Sequence, residues 1–90
     1  MFRFILNVCA EEDLERIYDY GVGQFGIMQA DRYYDKLFRY FEMIASNPLM
    51  FPISRQNPSY RSCVSGVDTI YFKINNDVIE IMAIIGRQDF

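Results

Sequence analysis

The stretch that most constrains the fold is 78–85, in which seven of the eight residues are apolar and five are β-branched. This pattern predicts a strand that is apolar on both faces. Strict alternation places Ile79, Ile81, Ala83 and Ile85 on one face, and Val78, Met82 and Ile84 on the other. An antiparallel sheet usually packs one face on the core and exposes the other to water. A domain this small can cover one face only. The second apolar face therefore predicts a protein partner.

The length of the chain favours a single domain over residues 1–90, and its charge indicates that this domain does not bind nucleic acid by itself. Hydrophobic residues make up 51% and aromatic residues 17% of the chain, which is the composition of a globular protein. The net charge is −3 and the isoelectric point is about 4.7. A protein that binds nucleic acid alone normally carries a basic excess, because contacts to phosphates supply most of the affinity.

The residue types available for chemistry are few. The chain has no His and two Cys, so neither a His-activated nucleophile nor a zinc site of the usual spacing is present. We expect no catalytic residue, no metal and no cofactor. Cys9 and Cys63 are predicted to be reduced core residues, and a disulfide between them is left open.

No apolar stretch has the length of a membrane span. The apolar run at the N-terminus is interrupted by Asn7 and followed at once by acidic residues, which is not typical of a signal peptide. We therefore expect a cytoplasmic protein without a membrane partner.

Hydrophobic spacing predicts a strand at 2–8, then helices at 10–24 and 27–46. Acidic side chains at the start of the first helix suit the positive end of its dipole, in the sequence Glu11-Glu12-Asp13. The joint at Phe25-Gly26 is short enough to force an antiparallel helical hairpin, and Asn47-Pro48 ends the second helix.

Three strands are predicted to follow, at 60–65, 68–75 and 78–86, with tight turns at Gly66-Val67 and Asn75-Asn76-Asp77. The order is therefore β-α-α-β-β-β. We predict an α+β, two-layer domain in which the helical hairpin packs on a mostly antiparallel sheet.

Two groups of side chains are candidates for function. The first is a cationic group in the half of the chain that carries the three later strands, comprising Arg55, Arg61, Lys73 and Arg87 with Tyr60 and Tyr71. It suits either phosphate stabilisation in RNA cleavage or contacts with an acidic protein surface. The second is an aromatic belt on the second helix, which either packs in the core or receives a partner, formed by Tyr33, Tyr34, Phe38, Tyr40 and Phe41.

The ordered set of motifs resembles the ParE/RelE superfamily of bacterial toxin–antitoxin modules, and specifically ParE. The first half carries two of these motifs, Ala10-Glu11-Glu12-Asp13-Leu14 and Phe25-Gly26 followed by Gln29-Ala30-Asp31-Arg32-Tyr33. The second half carries Asn47-Pro48, Tyr60-Arg61, Ile70-Tyr71-Phe72-Lys73, Ile79-Glu80-Ile81 and Ile84-Ile85-Gly86-Arg87-Gln88-Asp89.

The resemblance implies a non-enzymatic toxin that traps DNA gyrase on cleaved DNA. It also implies a ParD-like antitoxin, through which the complex meets its operator DNA only indirectly. The implied gyrase-binding residues are Arg61, Lys73, Arg87, Gln88 and Phe90, and the implied antitoxin-binding residues are Tyr33, Tyr40, Tyr71, Met82 and Ile84. The alternatives are a RelE-like, ribosome-dependent mRNA endonuclease and an inactive interaction module. One arginine and no tyrosine follow Ile85, which disfavours the endonuclease.

Overall fold

The computed structural model describes residues 2–86. Within this range the chain forms four strands and two long helices in the predicted order. The elements are β1 (Arg3–Leu6), α1 (Val8–Phe25), α2 (Ile27–Ser46), a 3-10 turn (Pro48–Met50), β2 (Arg61–Ser65), β3 (Asp68–Asn75) and β4 (Val78–Gly86). The two-layer α+β fold is therefore confirmed.

The four strands form one mixed sheet in the order β1-β4-β3-β2. β1 runs parallel to β4, and the other two pairings are antiparallel, as expected for a mostly antiparallel sheet. Both predicted turns are present, with positive φ angles of 69° at Gly66 and 57° at Asn76. Glycine and asparagine tolerate that backbone region better than other residues do, which explains both turns.

The helical hairpin begins where β1 ends. The side chain of Asn7 accepts a hydrogen bond from the Cys9 amide at 2.9 Å and so caps α1. The helix starts at Val8, earlier than predicted, so only Glu11 lies in its first turn. Gly26, with φ 86°, separates the two helices as expected.

The core lies between the hairpin and one face of the sheet. Its buried side chains come from both helices and from the three later strands: Ala10, Leu14, Ile17, Leu37, Phe41, Ile44, Cys63, Ile70, Phe72, Ile79, Ile81 and Ile84. Cys63 is a free core cysteine as predicted, whereas Cys9 is free but exposed on the first turn of α1, so the prediction for Cys9 is wrong. Phe25, the last residue of α1 at the tip of the hairpin, is 65% exposed.

A β-bulge at Met82 breaks the alternation of β4. Phe72 of β3 pairs with Ile81 and Tyr71 pairs with Ala83, so Met82 is an extra residue with no partner across the ladder. A bulge of this kind moves every later side chain of the strand to the face opposite the one that simple counting assigns.

The bulge corrects our prediction for the last residues of β4. Ile84 is 0% exposed and joins Ile81 in the core, whereas Ile85 is 50% exposed on the opposite face. The prediction that Ile84 lies on the uncovered face is therefore wrong.

Side chains of α1 hold the backbone of β4 beyond the bulge. β1 is paired only as far as Leu6, opposite Ile81, so the later part of β4 has no strand on that side within residues 2–86. There, the Ile84 amide donates to Asp13 Oδ2 at 2.9 Å, and Arg16 donates to the Ile84 carbonyl at 3.3 Å. Asp13 thus binds the backbone of a central strand, a contact that the dipole interpretation did not predict.

Candidate partner-binding surfaces

One face of the sheet has no helix against it. Cross-strand pairing puts the following side chains on this outer sheet face: Arg3, Ile5, Ser62, Val64, Thr69, Tyr71, Lys73, Asn75, Val78, Glu80, Ala83 and Ile85. Val64 is 68% exposed and Ile85 is 50% exposed, and Thr69 pairs with both of them. These residues form an apolar area on three neighbouring strands.

The other end of the outer sheet face is polar. The carboxylate of Glu80 accepts hydrogen bonds from Asn7 Nδ2 at 3.0 Å and Asn75 Nδ2 at 3.2 Å. Lys73 Nζ lies 3.9 Å from the same carboxylate. Since Asn7 also caps α1, this cluster joins the start of the first helix to two strands. Its charges are largely paired within the protein, so the apolar end is the better docking surface.

The structure separates the residues predicted to bind gyrase. Arg61 pairs with Phe72 on the core side of the sheet, and its guanidinium donates to the Phe51 carbonyl at 2.7 Å. Lys73 lies on the outer sheet face. Arg87, Gln88 and Phe90 lie outside the described residues. Arg61 and Lys73 therefore do not form one cationic cluster.

The residues predicted to bind the antitoxin also divide among several places. Tyr71 is on the outer sheet face, and Met82 is at the bulge. Tyr33 and Tyr40 are partly buried on α2 against the core, and Ile84 is inside it. Tyr71 is therefore the member of this set that strand pairing places on the outer sheet face.

Tyr33 has a structural role. Its hydroxyl donates to Asp68 Oδ2 at 2.5 Å and lies 2.8 Å from the Ser65 carbonyl, tying α2 to the ends of β2 and β3. Burial and the hydrogen bond to the Asp68 carboxylate raise the pKa of Tyr33 well above its ordinary value. Burial also raises the pKa of the Cys63 thiol. A phenol and a thiol held in their neutral forms do not make nucleophiles.

A groove of about 380 Å³, not predicted from the sequence, lies on the helical hairpin. Its lining includes Tyr20, Phe25 and Tyr34 from the helices and Val67 from the β2–β3 turn. Gly21 and Ala30 also line the groove and face each other closely: a Cβ at Gly21 would lie 3.4 Å from the Ala30 Cβ. The signal in the sequence was the presence of two small residues, Gly21 and Ala30, on helices that also carry several aromatic residues.

Two further classes of site find no support in the part of the chain that the structure describes. Within residues 2–86, no three His, Cys, Asp or Glu side chains come together in a way that could hold a metal ion. None of the helices there is both long and apolar enough to cross a membrane.

Solved structures define the class of protein that has this fold. A chain of the chromosomal ParDE toxin–antitoxin system of Pseudomonas aeruginosa superposes with a TM-score of 0.86 at 19% identity, covering 96% of each chain. A chain of the RelBE2 toxin–antitoxin complex of Mycobacterium tuberculosis gives 0.71 at 15% identity, covering 96% of this chain and 98% of that one. The chain thus shares its fold with chains of these two toxin–antitoxin systems.

Sequence comparison then identifies the family. The family model described as "ParE toxin of type II toxin-antitoxin system, parDE" matches residues 4–89. Toxin ParE1 of Caulobacter vibrioides is 32% identical over 79 residues, which cover 87% of this chain and 81% of that protein. Toxin ParE1 of M. tuberculosis is 25% identical over 88 residues, covering 96% and 90%. The chain belongs to the ParE toxin family.

Proposed function

We propose that this toxin inhibits DNA gyrase by holding it on cleaved DNA, without catalysing a reaction, and that a ParD-like antitoxin neutralises it by direct binding. It acts in the cytoplasm, where gyrase and its DNA are found. The complex meets operator DNA through the antitoxin only. Family membership supports the toxin role, and the acidic charge of the chain, −3, supports an indirect contact with DNA.

The observation that carries the antitoxin part is the apolar end of the outer sheet face. Val64, Tyr71 and Ile85 lie on adjacent strands with no helix above them. Covering such a surface removes apolar area from water, which stabilises the complex by roughly 25 cal/mol per Å² buried. An antitoxin segment laid across the three strands would complete the second layer of cover that the sequence of β4 predicts.

The gyrase part is tested with purified components. Toxin, gyrase, ATP and supercoiled plasmid are incubated, and the DNA is deproteinised and resolved on a gel. We expect cleaved plasmid to accumulate with toxin and to decline when antitoxin is added first. Unchanged supercoiling with no cleaved DNA at stoichiometric toxin would exclude gyrase as the target.

The antitoxin part is tested with matched variants. Val64→Lys places a charge on the outer sheet face, and Leu49→Lys places one in the 3-10 turn at the same 68% exposure. We expect Val64→Lys to weaken antitoxin binding by about tenfold or more, and Leu49→Lys to change it little. Equal effects of the two variants would exclude the outer sheet face as the docking surface.

The contacts of the cations argue against the endonuclease alternative. The Arg61 guanidinium is engaged with the Phe51 carbonyl, and the Lys73 ammonium faces the Glu80 carboxylate. Both would have to leave these partners to stabilise a phosphate in RNA cleavage. The assay is mRNA cleavage on purified ribosomes, in which we expect no product. Normal growth on expression without antitoxin would instead favour the inactive interaction module.

A further inference from the structure

The groove of about 380 Å³ on the helical hairpin carries positive charge, although the chain as a whole has a net charge of −3. Its charged lining residues are Arg32 and Lys36, and no carboxylate of residues 2–86 lines it. The two cations stand one helical turn apart on α2, where like charges repel each other. An anion placed between them would relieve this repulsion. The charge of this hairpin groove therefore selects a negatively charged group.

Both cations are available to such a ligand. Neither forms an ion pair with a carboxylate in the part of the chain that the structure describes. Lys36 Nζ lies 6.0 Å from the centroid of the Tyr33 ring, and a Cβ at Gly66 would lie 3.9 Å from the same nitrogen. The ammonium group therefore lies at the end of the hairpin groove beside the β2–β3 turn. The ammonium of Lys73, by contrast, already faces the Glu80 carboxylate.

The rest of the hairpin groove is largely apolar and aromatic. Five aromatic side chains line it: Tyr18, Tyr20, Phe25, Tyr33 and Tyr34. Phe25 is 65% exposed, so its ring is open to a ligand. The rings of Tyr18 and Tyr34 pack edge to face with their centroids 5.8 Å apart, an arrangement that a further aromatic ring can join. The lining therefore favours a ligand with an aromatic body.

The size of the hairpin groove and the division of its charge suit a small molecule. Ligand pockets typically have volumes of about 300–1,000 Å³ and are mostly apolar, with a few polar groups that fix the orientation of the ligand. The charge lies on the α2 wall only, because the lining residues that α1 contributes are all uncharged. A molecule with a ring at one end and an anionic group at the other matches this division.

We propose that the hairpin groove binds a small aromatic carboxylate. The ring lies against the aromatic side chains of α1, and the carboxylate lies between Arg32 and Lys36. Arginine suits this role because its guanidinium can form two parallel N–H···O hydrogen bonds to one carboxylate. The hairpin groove is separate from the outer sheet face, so the inference does not rest on the proposed function.

Two larger occupants fit the charge of the hairpin groove less well. A second copy of this chain that met the same groove about a two-fold axis would bring a second pair of cations toward Arg32 and Lys36. A protein that binds nucleic acid normally carries a basic excess, which a chain of net charge −3 lacks. A single carboxylate on an aromatic ring satisfies both the cations and the apolar lining.

The first test uses three probes that separate the ring from the charge. Naphthoate carries both, naphthylmethanol carries the same ring without the charge, and acetate carries the charge without the ring. Each is titrated into the complete toxin and followed by amide-resolved NMR. We expect saturable shifts at Gly21, Ala30 and Val67 with naphthoate, binding of naphthylmethanol that is weaker by about fivefold or more, and no saturation with acetate. Added salt should weaken the binding of naphthoate and leave that of naphthylmethanol nearly unchanged.

The second test removes the positive charges. Arg32→Gln combined with Lys36→Gln is compared with Arg39→Gln, which removes an exposed cation of the same helix that does not line the hairpin groove. We expect the double variant to bind naphthoate more weakly by about fivefold or more, and the control to stay within about twofold of the unmodified toxin. Because all three side chains are exposed, both variants should melt within about 4 °C of the unmodified toxin when no probe is present.

Three results would overturn the inference. They are equal affinities of the unmodified toxin for naphthoate and naphthylmethanol, full affinity of the double variant for naphthoate, and shifts that fall on the outer sheet face instead of the hairpin groove. Shifts in the groove that appear without any probe as the toxin concentration rises would indicate self-association there and overturn it too. Neither gyrase nor antitoxin is present in these assays, so none of these results affects the proposed function.

Discussion

At the scale of single residues, the Tyr33–Asp68 contact pairs a phenol with a fully buried carboxyl group. Asp68 is 0% exposed, and its Oδ1 atom has no hydrogen-bond partner within residues 2–86. The Tyr33 hydroxyl supplies the donor that satisfies the other oxygen. A buried carboxylate without donors is costly, so the tyrosine matters to stability more than its partial exposure indicates.

Tyr33→Phe should lower the free energy of unfolding by about 1–3 kcal/mol at neutral pH, measured by urea denaturation. The control is Tyr40→Phe on the same helix, for which we expect a change under about 0.5 kcal/mol. Equal losses in the two variants would show that the Asp68 contact contributes nothing specific.

The raised pKa of Tyr33 also predicts how alkaline pH affects stability. The folded state holds the phenol proton more tightly than the unfolded chain, in which the pKa is near 10.0. The contribution is therefore fully present below pH 10.0 and is lost as pH rises above that value. In denaturation curves between about pH 9 and 11, we expect unfolding free energy to fall more steeply in the unmodified toxin than in Tyr33→Phe. Parallel curves would contradict the prediction.

Two glycines provide a matched test of backbone conformation. Gly66 has φ +69°, so alanine there is strained although its Cβ would meet nothing closer than 3.8 Å. Gly23 is helical, and a Cβ there would meet nothing within 4 Å. By thermal denaturation, Gly66→Ala should destabilise by about 1 kcal/mol, and Gly23→Ala should stabilise by about 0.5–1 kcal/mol. The same sign in both variants would contradict this explanation.

At the scale of elements, β4 tests the bulge directly. Ile84→Ala should cost about 2–5 kcal/mol of unfolding free energy because Ile84 is buried in the core. Ile85→Ala should cost under about 1 kcal/mol in the free toxin, because that side chain is half exposed. Urea denaturation of both variants decides the register, and the reverse ranking would mean that β4 alternates without a bulge.

The same strand shows how much of the fold can be predicted from the sequence. Periodicity gave the order of the elements and the full extent of α2, because long amphipathic patterns leave little ambiguity. It failed after Met82, because periodicity does not register a bulge or the hydrogen bonds that Asp13 and Arg16 of a distant helix make to the Ile84 backbone beyond it. Pattern counting likewise treated Asn7 as a strand residue, although its side chain caps α1. Periodicity could not predict contacts between elements. It therefore could not predict that the proposed site residues divide among different surfaces.

At the scale of the whole molecule, the open surfaces predict that stability depends on the antitoxin. A ligand that binds only the folded state stabilises it by mass action, by about 2.7 kcal/mol at one hundred times Kd. The melting temperature of the toxin should therefore rise with antitoxin concentration in differential scanning fluorimetry. Val64→Lys should shift this dependence to higher antitoxin concentrations, and an unchanged dependence would place the antitoxin elsewhere.

The position of β4 in the chain has a consequence for synthesis. β4 lies between β1 and β3 in the sheet, yet it is the last described strand to leave the ribosome. Until β4 has emerged, β1 has no neighbouring strand and the core lacks Ile79, Ile81 and Ile84. Pairings between distant parts of a chain form late, so a nascent or prematurely terminated chain cannot fold into the toxin. Chains whose synthesis stops before β4 therefore lack the sheet and core on which the folded surface of this protein depends.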